Sequence, residues 1–250
     1  MSSTRCVVHT GPLDKARAWI EAYKGAGIDA VALPVVRTET VEPDGKVDEF
    51  VARDAPYALV VLTSKRAAYV LPRWKRHLAY APVAVVGKET SYGAASYGYP
   101  AAIVGEGGAE ELAAQLIGLG DLAGKTVLWP CGDAPMPILR ERLEAAGAKV
   151  VAPVVYRTVR EHVDPKRLRR FLRDADALAF TSPSGVEGFA AAADQAGAGA
   201  AVRSLFAACL GASTAKAAEA AGFVLRGTAL RPEPQALIDI LKTRRIDGRY

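Results

Sequence analysis

Four short landmarks occur twice along this chain, in the same order, so one architectural unit is present in two copies. Leu59-Val60-Val61-Leu62-Thr63-Ser64 is echoed by Leu178-Ala179-Phe180-Thr181-Ser182, and Val85-Val86-Gly87-Lys88-Glu89-Thr90 by Cys209-Leu210-Gly211-Ala212-Ser213-Thr214. A further glycine lies eleven residues after each turn, Gly98 in one copy and Gly222 in the other. Upstream, Ala26-Gly27 leads to Leu33-Pro34-Val35-Val36-Arg37-Thr38, and Ala146-Gly147 leads to Pro153-Val154-Val155-Tyr156-Arg157-Thr158.

Each copy alternates between two periodicities. Cys6–His9 is a short apolar run that reads as a strand. Leu13, Ala16, Ile20 and Tyr23 then recur at helical spacing, Gly27 marks a stop, and valine-rich Ala30–Val36 returns as a strand. Val127–Trp129, a helix carrying Ile138, Leu139 and Leu143, and a strand over Val150–Val155 repeat the scheme. Strand–helix alternation of this kind predicts parallel sheets covered by helices on both faces. No GxGxxG follows the first strand and no GxxxxGK[ST] is present, which leaves nucleotide binding without support. Gly105-Glu106-Gly107-Gly108 reads as a loop before a helix over Ala109–Ile117, since Glu106 would repel phosphate. Arg37-Thr38 and Arg157-Thr158 are expected to end strands. The charged, proline-containing stretches after them, Glu39–Asp44 and Arg160–Pro165, have the composition of linkers and predict two chain crossings between lobes.

Composition narrows the class. Half of the 250 residues are apolar and 24% are charged, the balance of a folded globular protein. No run approaches the roughly 18 apolar residues of a membrane span, and Met1-Ser2-Ser3-Thr4-Arg5 starts no secretory pattern, so a cytoplasmic location is expected. The net charge of +5 suits an anionic partner. Nucleic acid is not expected, because the basic residues form no arm or tail and no zinc-finger or RNP pattern occurs. Cys6, Cys131 and Cys209 are far apart and His9, His77 and His162 are isolated, so buried reduced thiols and no metal site are expected.

The ordered set of landmarks resembles the uroporphyrinogen-III synthase family over nearly the whole chain. The matching residues are Thr63-Ser64, Thr181-Ser182-Pro183-Ser184-Gly185, the Gly-x-x-Thr turns at Gly87–Thr90 and Gly211–Thr214, Val155-Tyr156-Arg157, and Pro234-Gln235-Ala236-Leu237. The chain departs from the family where Thr10-Gly11-Pro12 replaces Thr-Arg-Pro and where Asp133-Ala134-Pro135-Met136-Pro137 replaces a glycine-rich turn with arginine. The resemblance implies two flavodoxin-like doubly wound parallel-sheet domains joined by a two-stranded β-ladder, with the active site in the cleft between them. It pairs residues 1–36 with 159–250 as one discontinuous domain and leaves 37–158 as the other. It implies a cofactor-free, monomeric lyase of haem, sirohaem, cobalamin or chlorophyll synthesis. This enzyme closes hydroxymethylbilane into uroporphyrinogen III with inversion of the last pyrrole ring, and its substrate is passed on by hydroxymethylbilane synthase.

The same resemblance makes Tyr156 the expected proton donor. It makes Thr10, Thr63, Ser64, Lys65, Gly87, Thr90, Ser182, Ser184, Gly211, Ser213 and Thr214 the expected substrate-binding residues. The turns among them fall at strand carboxyl ends, where a doubly wound sheet binds ligands and helix N-termini offer N–H groups to carboxylates. Two roles stay open for the Ser and Thr residues, capping a helix or touching ligand, and for Tyr156, facing the cleft or packing on the ladder. The basic stretch Lys166, Arg167, Arg169, Arg170 and Arg173 reads as a solvated helix that can steer an anion. A two-lobed binding or sensor protein for a small anionic ligand is the alternative reading, since the same turns would serve it.

Overall fold

A computed structural model describes residues 6–78, 80–231 and 233–243; Met1–Arg5, where no secretory pattern starts, lies outside them. The chain divides into two compact units, Met1–Thr38 with Val159–Tyr250, and Glu39–Thr158. It passes from one to the other within its third and tenth strands.

The first unit begins with β1 (Cys6–His9), α1 (Leu13–Gly25), β2 (Asp29–Ala32) and the start of β3 (Val36–Thr40). The second unit continues with α2 (Gly45–Arg53), β4 (Leu59–Leu62), a 3-10 helix (Lys65–Val70), α3 (Lys75–Leu78), β5 (Val83–Val86) and α4 (Lys88–Ser96). It goes on through β6 (Ile103–Gly105), α5 (Ala109–Leu119), β7 (Thr126–Leu128), β8 (Cys131–Gly132), α6 (Ile138–Ala145), β9 (Lys149–Val151) and β10 (Val154–Arg160). The first unit then resumes with α7 (Pro165–Arg173), β11 (Ala177–Phe180), α8 (Pro183–Gln195), α9 (Gly199–Arg203) and β12 (Phe206–Leu210). It closes with α10 (Ala212–Ala220), β13 (Val224–Ala229) and α11 (Pro234–Lys242).

The first unit's sheet runs β13-β12-β11-β1-β2 with all four pairings parallel. Numbered within the unit this is 2-1-3-4-5, the flavodoxin order. The second unit's sheet runs β6-β5-β4-β7-β9, also wholly parallel. The repeat explains the difference: β4, β5 and β6 occupy the places of β11, β12 and β13, and β7 and β9 those of β1 and β2. The two units thus share one spatial arrangement, but the chain enters the second at its middle strand. A third sheet has the order β3-β10-β8.

Alternation along each strand sends side chains to two separate cores. In the first unit Val8, Leu178, Phe180 and Cys209 pack with Leu168, Val186, Phe189, Ala215 and Ala218 from α7, α8 and α10. Val7, Ala177, Ala179 and Ala208 pack with Tyr23 of α1 and Leu237, Ile238 and Leu241 of α11. In the second unit Val60, Leu62, Val83 and Val85 meet Val51, Ala67, Val70 and Trp74. Leu59, Val61, Ala84 and Val127 meet Leu112 and Leu116 of α5 and Leu139 and Leu143 of α6. Every residue of β4 and β11 is buried, as parallel strands covered on both faces must be.

Two expectations need correction. Ala30–Val36 and Val150–Val155 are not single strands: β2 stops at Ala32 and β3 starts at Val36, while β9 stops at Val151 and β10 starts at Val154. Pro34 and Pro153 sit in the gaps, and neither can donate to a ladder. Arg37-Thr38 and Arg157-Thr158 lie within strands β3 and β10, which end at Thr40 and Arg160; the residues after them, 41–44 and 161–164, are not strand, and the boundaries between the two units fall after Thr38 and Thr158. Charges here form ion pairs: Arg157 with Glu39 at 3.3 Å joins β10 to β3, and Arg37 pairs with Glu161, just beyond β10, at 3.2 Å. Cys131 and Cys209 are buried free thiols, while Cys6 is half-buried. No helix among the described residues is long and apolar enough to cross a membrane.

Candidate functional site

An open parallel sheet binds ligands outside its strand carboxyl ends, at the pair of strands where the winding reverses. In the second unit that pair is β4 and β7, since the chain leaves β4 towards β5 on one side and β7 towards β9 on the other. Thr63, Ser64 and Lys65 follow β4, and Trp129 follows β7. The Trp129 indole N–H donates to Thr63 Oγ1 at 3.2 Å, so the two strand ends are tied directly. Ser64 caps the 3-10 helix, accepting from Arg66 N–H at 3.3 Å. Lys65 Nζ lies 3.1 Å from Glu89 Oε2, and both side chains are exposed.

Tyr156 reaches this strand end from β10. It stands opposite Gly132 of β8 in a parallel register, and a Cβ added at Gly132 would lie 2.5 Å from Tyr156 Cε2. The ring therefore lies flush on a position that no side chain can share. Burial pushes the Tyr156 phenol above its ordinary value. Hydrogen bonding from Ser64 and from the Gly132 backbone opposes that rise, Cys131 adds to it, and the positive charge of Arg66 opposes it. Ser64 and the Gly132 backbone thus favour the ionised oxygen and ease loss of the phenol proton. Beside it the Cys131 thiol is pushed up to about 11, chiefly by burial, and stays protonated at neutral pH.

The first unit repeats the arrangement at β11 and β1. Thr10 is buried, and both its N–H and its Oγ1 donate to the Ala179 carbonyl, at 3.3 and 3.4 Å. A Cβ on Gly11 would fall 3.0 Å from Thr181 Oγ1 and 2.8 Å from His9 Nε2, so the turn after β1 passes tightly over the end of β11. Ser182 caps α8 by accepting from Gly185 N–H at 3.1 Å, and its Oγ is 3.2 Å from Ser184 Oγ. His9, 1% exposed and stacked on Trp19 at 5.5 Å, is driven down to about 4 by burial and is neutral under ordinary conditions.

Gly87 and Gly211 begin α4 and α10 with φ of 76° and 79° and ψ of 160° and 154°, a region almost confined to glycine. Nothing lies within 4 Å of where their Cβ would be, so the backbone there is approachable. Thr90 and Thr214 are buried in their helices, whereas Ser213 is exposed. Glu89 in the first turn of α4 partly cancels the positive helix end, but α10 has no acid there and offers the cleaner seat for a carboxylate. Gly87→Ala and Gly211→Ala should each cost about 1–3 kcal/mol through backbone strain alone. Gly25→Ala, equally open but with ordinary backbone, should be neutral or stabilising. Urea midpoints for the three variants test this, and equal midpoints would count against a conformational requirement at the two turns.

Sequence reasoning missed Trp129, Gly132 and the buried His9. Gly132 carried no signal, because only the β8–β10 register brings it to Tyr156. No group of three or more metal-ligating side chains occurs among the described residues.

A family model described as uroporphyrinogen-III synthase HemD matches residues 17–239. No curated protein sequence matches. Among solved structures, a uroporphyrinogen-III synthetase from Helicobacter pylori aligns with TM-score 0.61 and 17% identity, covering 94% of this chain and 97% of the other. A mutant uroporphyrinogen III synthase from Thermus thermophilus aligns with TM-score 0.54 and 21% identity, covering 94% and 96%. Those identities speak for the fold. The family match spans both repeated units and takes in Tyr156 and the strand-end residues after β4, β5, β7, β11 and β12, and on that ground the chain belongs to the uroporphyrinogen-III synthase family.

Proposed function

We infer that Tyr156 is the proton donor in the reaction of this family, the cyclisation of hydroxymethylbilane to uroporphyrinogen III. The observation that carries the assignment is its half-buried ring, set on Gly132 by the β8–β10 register, with a phenol whose charged form Ser64, the Gly132 backbone and Arg66 favour. The terminal hydroxyl of the substrate leaves as water when it takes up a proton and its C–O bond breaks. Burial keeps the phenol protonated at neutral pH. Ser64, the Gly132 backbone and Arg66 stabilise charge on its oxygen as the proton departs.

The other strand-end groups hold the substrate. Ser64, Ser182, Ser184 and Ser213 supply hydroxyls, Lys65 supplies charge, and the open turns at Gly87 and Gly211 let carboxylate arms approach the helix N–H groups. Thr10, Thr63, Thr90 and Thr214 act one layer back by fixing these turns, since Thr10 is bonded to Ala179, Thr63 to Trp129, and Thr90 and Thr214 are buried. The remaining task is conformational. The linear tetrapyrrole must be held so that the activated terminal carbon meets the substituted carbon of the last ring, with water kept away. Loss of hydroxyl from an electron-rich pyrrole needs no redox partner, so we propose a cofactor-free reaction. One chain carries both sets of strand-end groups, which supports a working monomer. We place it in the cytoplasm, receiving substrate from hydroxymethylbilane synthase.

Affinity should depend on charge. Measured by equilibrium binding of a tetrapyrrole polycarboxylate, it should fall steadily as salt rises from roughly 0.05 to 0.5 M. An affinity indifferent to salt would contradict carboxylate recognition. The reaction itself is tested by isomer analysis of the product formed from freshly generated hydroxymethylbilane.

A further inference from the structure

The strand-end site leaves α7 unused, although it is the most basic segment of the chain. Asp164 caps it and Pro165 opens it, so the helix starts firmly. Lys166, Arg169 and Arg173 are spaced three and four residues apart and share one face, spanning about 10 Å of helix rise. They form one wall of a cavity of about 670 Å³, whose other lining residues are Leu172, Gly197, Ala198 and Ala201. The volume falls in the range of small-molecule sites, roughly 300–1,000 Å³.

Lys166, Arg169 and Arg173 are exposed, and three features set this open groove apart from the rest of the basic helix. Arg169 Nη1 donates to the Ala196 carbonyl at the end of α8 at 2.7 Å, which fixes the guanidinium while leaving other donors unspent. Lys166, Arg169 and Arg173 make no ion pair among the described residues, and no acid lines the cavity. The acid at the neighbouring corner, Asp194, is held by both terminal nitrogens of Arg203, at 3.0 and 3.1 Å. Leu172, Ala198 and Ala201 then give the cationic wall an apolar counterpart. The cavity lies at the far end of α8 from its Ser182 cap, about 20 Å away along thirteen residues of helix, and so is separate from the strand-end site.

We propose that this cavity binds a polyanion with an apolar body, of the class of aromatic polycarboxylates. The carboxylates meet Lys166, Arg169 and Arg173, and the ring lies on Leu172 and Ala198, where a guanidinium can also stack on it. The proposal does not depend on the cyclisation reaction, and its test measures no turnover.

Calorimetric titration with mellitate (benzenehexacarboxylate) should show saturable binding, weakened about tenfold in Lys166→Gln/Arg173→Gln. Arg169 is left in place because its bond to Ala196 also serves the fold. The control, Arg167→Gln/Arg170→Gln, removes equal charge from the same helix outside the cavity and should bind within about twofold of the parent. Thermal melting of each variant checks that the helix is intact. Tripolyphosphate, which has charge but no apolar body, should bind more weakly than mellitate. Absent saturation, equal weakening in both double variants, or tripolyphosphate binding as tightly as mellitate would each overturn the proposal.

Discussion

Tyr156→Phe should lower turnover by about tenfold to a thousandfold, with little change in KM. The substitution keeps the ring on Gly132 and removes only the phenol, so the stability cost should stay near 1 kcal/mol. An interaction made mainly as the hydroxyl departs lowers kcat and kcat/KM together. The product of the residual activity should still be the type III isomer, because ring placement does not depend on that proton. The pH profile adds an independent reading. Only the protonated phenol can act as donor, and burial raises it above its ordinary value of 10.0. Wild-type turnover should therefore hold up to about pH 9 and decline only beyond it. Wild-type turnover in the Phe variant would remove Tyr156 from the chemistry, and loss of folded protein would assign it to packing.

Gly132→Ala should damage the same step from the opposite side. The new methyl would lie 2.5 Å from Tyr156 Cε2, so the ring must move off the strand. A shift near 1 Å in a catalytic group costs on the order of a hundredfold in rate, while the overpacking itself costs about 1–3 kcal/mol of stability. Because Gly132 acts by positioning Tyr156, the two changes should not add. Gly132→Ala with Tyr156→Phe should turn over no more slowly than the slower single variant. Multiplied losses in the double variant would show that Gly132 serves another purpose.

Much of the fold was legible because parallel strands buried on both faces leave a strong mark. Leu59–Leu62 and Ala177–Phe180 are such runs, and they are the middle strands of the two sheets. Gly87 and Gly211 were legible as turns for a local reason: a strand must reverse into a helix, and the backbone required there admits little but glycine. What escaped depended on pairing between distant segments. Ala30–Val36 and Val150–Val155 each read as one strand from their valines, whereas pairing breaks around Pro34 and Pro153, which cannot donate to a ladder. Gly132 meets Tyr156, and Trp129 meets Thr63, only through the order of strands in space. Thr90 and Thr214 illustrate the reverse difficulty, since a hydroxyl next to a turn reads alike whether it faces ligand or the helix packing, and here both are buried.

Product analysis after incubation with freshly generated hydroxymethylbilane bears most directly on the whole account. In water the substrate closes head to tail without inverting its last ring, so the isomer formed reports whether the protein controls the closure. Uroporphyrinogen III should be the dominant product, formed in proportion to protein added and sharply reduced in Tyr156→Phe. Uroporphyrinogen I appearing at the rate of the protein-free reaction would contradict it.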